Sequence, residues 1–216
     1  MTEETIKVFN FLCDEFKGLS KFRTVFKSFK DCSRDSANRR YVVNSEVKAI
    51  NFDKVTRRLY KHNYPRSADA MTFSGNSIFL IEFRAGDQVV GIYSTQHLTR
   101  EVTDKINGSE QTLYSKVFDY IPNLDTNSIK LRFYLVVDVE AMGISALART
   151  QAKLALGATT EEGDKLAVLV KHVLPDLREG TQNPDHYEDV DIWYSDFFDR
   201  YLEKYGIKDI EDLFNE

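Results

Sequence analysis

Asp69-Ala70-Met71-Thr72-Phe73-Ser74-Gly75-Asn76-Ser77-Ile78-Phe79-Leu80-Ile81-Glu82-Phe83-Arg84 is the stretch on which the fold turns. Ala68 to Phe73 and Ser77 to Phe83 read as two strands, rich in apolar and β-branched residues. Between them Gly75-Asn76 tolerates the positive φ of a two-residue hairpin turn. With those two residues as the loop, Phe73 meets Ile78, Met71 meets Leu80 and Asp69 meets Glu82. All six side chains share one face, because strand neighbours alternate with period two. Directly opposed Cβ atoms stand about 4.5 to 5.5 Å apart. Two carboxylates are therefore forced together at one end of an apolar face, where burial raises a carboxyl pKa unless a cation or a proton is shared. Arg84, two residues beyond Glu82 on the same face, is one candidate for that cation, and its pairing would make the cluster a purely structural cap on the hairpin.

Outward from the hairpin, the pattern predicts helices around a sheet. Ile6, Phe9, Cys13 and Phe16 recur at helical spacing, so residues 2 to 18 read as an amphipathic helix ending near Gly18. Residues 21 to 40 read as a second short helix, with Phe22, Phe26 and Phe29 as core positions, followed by a polar loop from 31 to 40. Residues 45 to 63 carry Val47, Ile50, Val55 and Leu59 and read as a helix running into Pro65. Val89 to Tyr93 reads as a third strand, and Thr103 to Ile121 as a helix that Gly108 could split, since glycine costs about 1 kcal/mol in a helix interior. Ile129 to Val139, with Leu131, Phe133, Leu135 and Val137 in alternation and Tyr134 and Val136 between them, reads as a central strand buried on both sides. Ala141 to Leu156 is predicted helical, and residues 165 to 174 form an apolar run of either type. Residues 189 to 194 read as an edge strand, and Ser195 is the expected N-cap of a helix reaching Tyr205. The fold class is α/β, a mixed central β-sheet flanked by helices.

A chain of 216 residues with 42% hydrophobic and 29% charged content is long enough for one sizeable core and too apolar for a disordered segment. No apolar run approaches the roughly 18 residues of a membrane span, and the opening residues are acidic, so the expectation is a cytoplasmic protein without a membrane partner. Cys13 and Cys32 lie in no metal-ligand or disulfide pattern and are expected as reduced thiols. Charge is uneven. Residues 21 to 66 hold thirteen Lys/Arg against four Asp/Glu, whereas residues 176 to 216 hold four against thirteen. A basic stretch suits a polyanionic partner, because phosphate contacts by Lys and Arg supply most non-specific nucleic-acid affinity. It also suits ordinary solvated faces that attract the acidic segment within the fold.

Asp69, then twelve residues, then Glu82-Phe83-Arg84, on strand, turn and strand after Pro65, resembles the PD-(D/E)XK nuclease superfamily. The flanks Ser67-Ala68-Asp69-Ala70 and Leu80-Ile81-Glu82-Phe83-Arg84-Ala85-Gly86 are similar to a group of uncharacterised bacterial and phage proteins with that core. The resemblance covers roughly residues 45 to 140. It implies one restriction-endonuclease-like domain, with residues 1–44 as an N-terminal helical extension and 141–216 as C-terminal helices with an edge strand. It further implies hydrolysis of DNA phosphodiesters, as an endo- or exodeoxyribonuclease, with Mg²⁺ or Mn²⁺ held by Asp69 and Glu82. The carbonyl of Phe83 is a candidate further ligand. Position 84 would hold the cation that orients the attacking water, and Glu46, expected on the preceding helix, would be an extra acidic residue. Arg84 departs from the lysine usual there. Arginine stays protonated and serves only to stabilise charge, so Lys105 or Lys48 is a candidate to reach the site from another element, and a degenerate, non-cleaving site is the alternative. Arg57, Arg58, Lys61 and Arg66 are the expected nucleic-acid contacts, and a homo-oligomer is compatible with the pattern.

Two other readings stand beside the nuclease. One is the same fold without catalysis, acting as a nucleic-acid-binding or protein-assembly module. The other is an interaction protein whose acidic residues 195–216 bind a basic partner. Pro175-Asp176 and Pro184-Asp185 match the family name literally, but no strand with an acidic-x-Lys follows either. Asp185, Glu188, Asp189 and Asp191 read as a solvated acidic loop. Glu15-Phe16-Lys17 and Glu46-Val47-Lys48 lack a preceding strand with Asp, and no hydrolase-triad or nucleotide-binding glycine pattern occurs.

Overall fold

The computed structural model describes residues 1–35, 39–85, 92–138 and 169–214. The protein is mixed α/β. Six strands form one sheet in the order β1 (Phe26–Ser28), β4 (Lys48–Asn51), β5 (Ala70–Ser74), β6 (Ser77–Arg84), β7 (Lys130–Val137), β8 (Tyr187–Tyr194), and β2 (Arg34–Asp35) pairs separately with β3 (Arg40–Tyr41). Strands β1 to β6 of the large sheet pair antiparallel, while β6–β7 and β7–β8 are parallel. A parallel pair needs a crossover connection, and α5 (Ile92–Lys116) lies on the chain between β6 and β7.

The hairpin register is the one read from the sequence: Met71 pairs with Leu80, Phe73 with Ile78, and Gly75 takes φ 57° in the turn. Every residue of β6 except Arg84 is buried, as is each of Phe133 to Val137 in β7, because both faces of the sheet are covered. On one face Met71, Phe73, Ile78, Leu80, Phe133 and Leu135 share a core with α1 (Glu3–Glu15) and with Val102, Ile106 and Leu113 of α5. On the other, Phe79, Ile81, Phe83, Tyr134 and Trp193 pack with Phe29 of α3 (Phe29–Cys32) and Phe198 and Leu202 of α7 (Phe198–Lys204). Each such large apolar side chain contributes about 1.5–3 kcal/mol relative to exposure. Asp69 and Glu82 therefore belong to the α1/α5 face.

Several elements differ from the sequence reading. Residues 45 to 63 are not one helix: Lys48–Asn51 is β4, between β1 and β5, and α4 is Phe52–Tyr60. Asn51 caps α4 by accepting a hydrogen bond from the Lys54 amide, so the helix starts where a cap is available, and Ala49 and Ile50 are left to fill the sheet. Glu46 thus lies ahead of a strand, not on a helix. The buried stripe of α1 is Thr5, Val8, Phe9 and Leu12, while Ile6 is exposed. The expected second helix through Phe22, Phe26 and Phe29 is interrupted: a helical turn at Leu19–Phe22 gives way to the edge strand β1 before α3, although all three phenylalanines are core residues. The expected polar loop after them contains the β2–β3 pair. Ile92 and Tyr93 open α5 and are not strand; Val89 to Gly91 and Ala141 to Leu156 fall outside the described residues. Gly108 does not split α5. A Cβ there would stand 1.9 Å from the Arg66 carbonyl oxygen, so glycine is what lets the 65–68 segment cross the helix. Ser195 is no N-cap: Ser195–Phe197 forms a 3₁₀ turn and α7 begins at Phe198. Glu188, Asp189 and Asp191 lie within β8, where Asp189 accepts from the Tyr134 hydroxyl and Glu188 pairs with Arg132. They are not a loop. The edge strand and the buried central strand both occur as expected.

Candidate functional site

The crossing at Gly108 sets the position of Asp69. Next to it on α5, Ser109 Oγ accepts from the Ala68 amide at 2.9 Å, and the Asp69 carbonyl accepts from the Phe52 amide at 3.1 Å. The segment entering β5 is thereby held between α4 and α5. One step beyond the last ladder pair, Ala70–Ile81, stand Asp69 and Glu82. Asp69 Oδ2 accepts from the Phe83 amide at 3.0 Å, which fixes the carboxylate across the strand end.

The gap between the two carboxylates holds the ammonium of Lys105, which donates to Asp69 Oδ1 at 3.0 Å and to Glu82 Oε2 at 2.6 Å. Arg84 takes the other Glu82 oxygen, with Nε 3.1 Å from Oε1, an ion pair bent too far to count as a hydrogen bond. The guanidinium also lies 3.5 Å from Glu101 Oε2, and Arg66 closes on Glu101 Oε1 at 3.2 Å. Three carboxylates and three cations thus form one chain of contacts from Asp69 to Arg66.

Glu82 is only 1% exposed, whereas the Asp69 side chain is 26% exposed. Burial away from water, then the neighbouring Asp69 charge, pushes the Glu82 carboxyl up to about 8 against the opposing pull of Lys105 and Arg84. Burial works to lower the Lys105 pKa, but Glu82 and Asp69 outweigh it and the ammonium is held more firmly than usual. Lys105 is therefore a charge stabiliser in this arrangement, not a base. An open cleft of about 210 Å³ runs past the cluster, lined by Asp69, Glu82, Arg84 and Lys105 on one side and by Cys32 and Arg34 among its other walls. A water occupies about 30 Å³ of liquid, so the cleft has room for a phosphate group with solvent. Cys32 on its wall is pushed up to about 12, chiefly by burial and then by Asp69, and is a neutral thiol.

Of the other expected site residues, Lys48 does not come to the cleft. Its Nζ pairs with Glu211 at 2.7 Å and its amide donates to Asp209, tying the acidic C-terminal segment to β4. Glu46 pairs with Lys30 at 3.0 Å and does not line the cleft. Arg57 pairs with Asp53, Arg58 and Lys61 are exposed on α4 and its end, and Arg66 joins the cluster through Glu101. Glu101 was not foreseen from the sequence. A signal for Lys105 was present: it falls in step with Leu98, Val102, Ser109 and Leu113 on the buried stripe of α5, where a lysine needs an acidic partner.

Among the described residues no group of three or more His, Cys, Asp or Glu is arranged to hold a metal. Asp69 and Glu82 offer two hard oxygen donors, which suits a divalent ion that keeps most of its waters. The Lys105 ammonium already occupies the cationic position between them. No protein-family model matches the chain, and no curated protein or solved structure does. No helix among the described residues is long and apolar enough to cross a membrane.

Proposed function

We propose that the protein is a metal-dependent nuclease of restriction-endonuclease-like type, hydrolysing DNA phosphodiesters at the Asp69/Glu82 pair. The observation that carries this reading is the cation position between two opposed carboxylates, 3.0 and 2.6 Å from Lys105, at the wall of an open cleft. Asp69 and Glu82 would hold Mg²⁺ or Mn²⁺. The bound ion would supply Lewis-acid stabilisation of charge developing on the phosphoryl oxygens. Lys105 and Arg84 add two cationic side chains on the cleft wall that neutralise the phosphodiester. Arginine is always charged and Lys105 is held protonated, so neither is assigned the removal of a proton from water. In this reading Lys105, from α5, supplies the lysine charge that position 84 lacks, and Asp69 anchors the pair through the Phe83 amide. The two free thiols, Cys13 and Cys32, accord with a cytoplasmic protein.

One observation favours a second reading. The ammonium fills the gap and every charge in the chain of contacts has a partner, as in a site that no longer cleaves and serves as a binding or assembly module. The two separate on metal. Single- and double-stranded DNA and RNA are incubated with Mg²⁺ or Mn²⁺, and Mn²⁺ binding is followed by electron paramagnetic resonance on the wild type and on Asp69→Ala. Cation-dependent cleavage with Mn²⁺ binding, both lost in Asp69→Ala, supports the nuclease. Absence of both leaves the module.

A further inference from the structure

We propose that the surface running from Arg66 over Tyr64 to the C-terminal end of α4 binds single-stranded nucleic acid, with Tyr64 as a platform for a base. This deepens the proposed function and rests on it for the direction in which the strand runs, toward the cleft.

Residues 54 to 68 hold Lys54, Arg57, Arg58, Lys61 and Arg66 and no Asp or Glu. That makes the strip complementary to a polyanion even though Asp53 and Glu101 pair with two of its members. The backbone turns sharply inside it: Lys61 has φ 62° and Asn63 φ 50°, both in the left-handed region that non-glycine residues seldom occupy. Tyr64 follows at once and stays 43% exposed. The Arg57 guanidinium lies over the Tyr64 ring, 5.1 Å from its centroid, so a cation backs one face of a partly exposed aromatic ring. The contrast with Tyr60 is informative. That ring is half-buried, its hydroxyl is 3.1 Å from Ser115 Oγ on α5, and it belongs to the packing of α4 on α5. No hydrogen bond holds Tyr64 among the described residues.

The strip also leads to the proposed chemistry. Pro65 and Arg66 cross α5 at Gly108, and Arg66 connects through Glu101 to Arg84 and so to Glu82. A strand whose base rests on Tyr64 would have its phosphates near Arg66 and continue toward the cleft. An exposed ring flanked by cations is the arrangement that binds single strands, whose base faces are free to stack, with little sequence preference. In a duplex those faces are buried against neighbouring pairs, and only the phosphates would remain to be read.

The experiment is fluorescence anisotropy of labelled single-stranded DNA, single-stranded RNA and duplex DNA with the full chain in EDTA. Under those conditions no metal is bound and the result does not depend on the nuclease reading. The wild type is expected to bind a single strand more tightly than duplex. Tyr64→Ala is expected to weaken single-strand binding on the order of tenfold, with duplex binding changed by less than about twofold. Tyr64→Phe, which keeps the ring, is expected to retain the wild-type affinity, and Arg58→Ala to reduce the salt dependence of binding. The DNA and RNA arms report which sugar is preferred. No binding by the wild type, tighter binding of duplex, or a Tyr64→Ala affinity equal to the wild type overturns the proposal. If binding behaves as expected but no cation-dependent cleavage occurs, the surface stands and the nuclease reading falls.

Discussion

Among the described residues two glutamates are buried, Glu82 and Glu110, and they do different things. Glu82, on the hairpin, meets a second carboxylate and two cations beside an open cleft. Glu110, on α5 five residues after Lys105, meets none of these. Its Oε1 accepts from Asn183 Nδ2 at 2.6 Å and lies 2.5 Å from His186 Nδ1, while Tyr114 stacks on the imidazole at 4.3 Å. Asn107, on the same helix, accepts from the Gln182 amide and donates to the Gly180 carbonyl. Glu110 is thus a latch that holds the entry to β8 on α5. Burial alone does not make a carboxylate a functional candidate. A second carboxylate that forces a cation into the same gap, with solvent access, does.

The comparison breaks most sharply on activity. If Glu82 belongs to a nuclease site and Glu110 to a latch, Lys105→Met should lower the rate of Mn²⁺-dependent cleavage on the order of 10²–10³-fold, the size of losing one preorganised charge stabiliser. Glu110→Gln should leave the rate per folded molecule unchanged. Single-turnover cleavage, with circular dichroism to measure the folded fraction, checks both. A Glu110→Gln variant that folds but does not cleave would place the latch inside the site.

A second effect is on stability against pH. The folded Glu82 carboxyl titrates near 8, well above an ordinary glutamate, so across roughly pH 5 to 8 the folded chain keeps a proton that the unfolded chain has lost. The stability from this group is complete at low pH and is lost as pH rises through that window, by at most about 1.4 kcal/mol per pH unit. The raised pKa of Lys105 acts with the same sign, but only above its ordinary value, outside the window. Urea midpoints at several pH values should therefore fall from pH 5 to 8 in the wild type. Glu82→Gln should flatten the decline, and an unchanged slope would mean that Glu82 is already ionised.

What could be read from the sequence follows from how local each feature is. The hairpin and its carboxylate pair depend on a two-residue turn and a period of two, so the register and the meeting of Asp69 with Glu82 could be derived. β4 could not. It is four residues long, its apolar spacing also fits a helix, and only its place between β1 and β5 makes it a strand. The partner of the carboxylates was visible in outline only. Arg84 is a sequence neighbour and was the natural first choice, whereas Lys105 arrives on α5, whose position depends on the Gly108 crossing of the 65–68 segment. Glu101 and Glu110 owe their roles to the same helix and give no signal in a linear reading. Lys48, weighed as a substitute lysine, is instead bound to Glu211, a pairing across the whole chain.

The smallest expected effect concerns the latch. Glu110→Ala leaves the Asn183 amide and the His186 ring without their acceptor and should cost about 2 kcal/mol in urea unfolding. His186→Ala should cost less, about 1 kcal/mol, because the imidazole is 37% exposed and water can replace it as the partner of Glu110. The double variant should be less destabilised than the sum of the two, since each single change already removes the shared contact, with a coupling on the order of 0.5–1 kcal/mol. If the two costs add fully, Glu110 is held by Asn183 alone. The entry to β8 would then rest on Asn107 and on the bond from the Tyr187 hydroxyl to the Ile106 carbonyl. In either case these variants should leave the cleft chemistry untouched, because none of their contacts includes Asp69, Glu82 or Lys105. That separation makes Glu110 the internal control for any role assigned to Glu82.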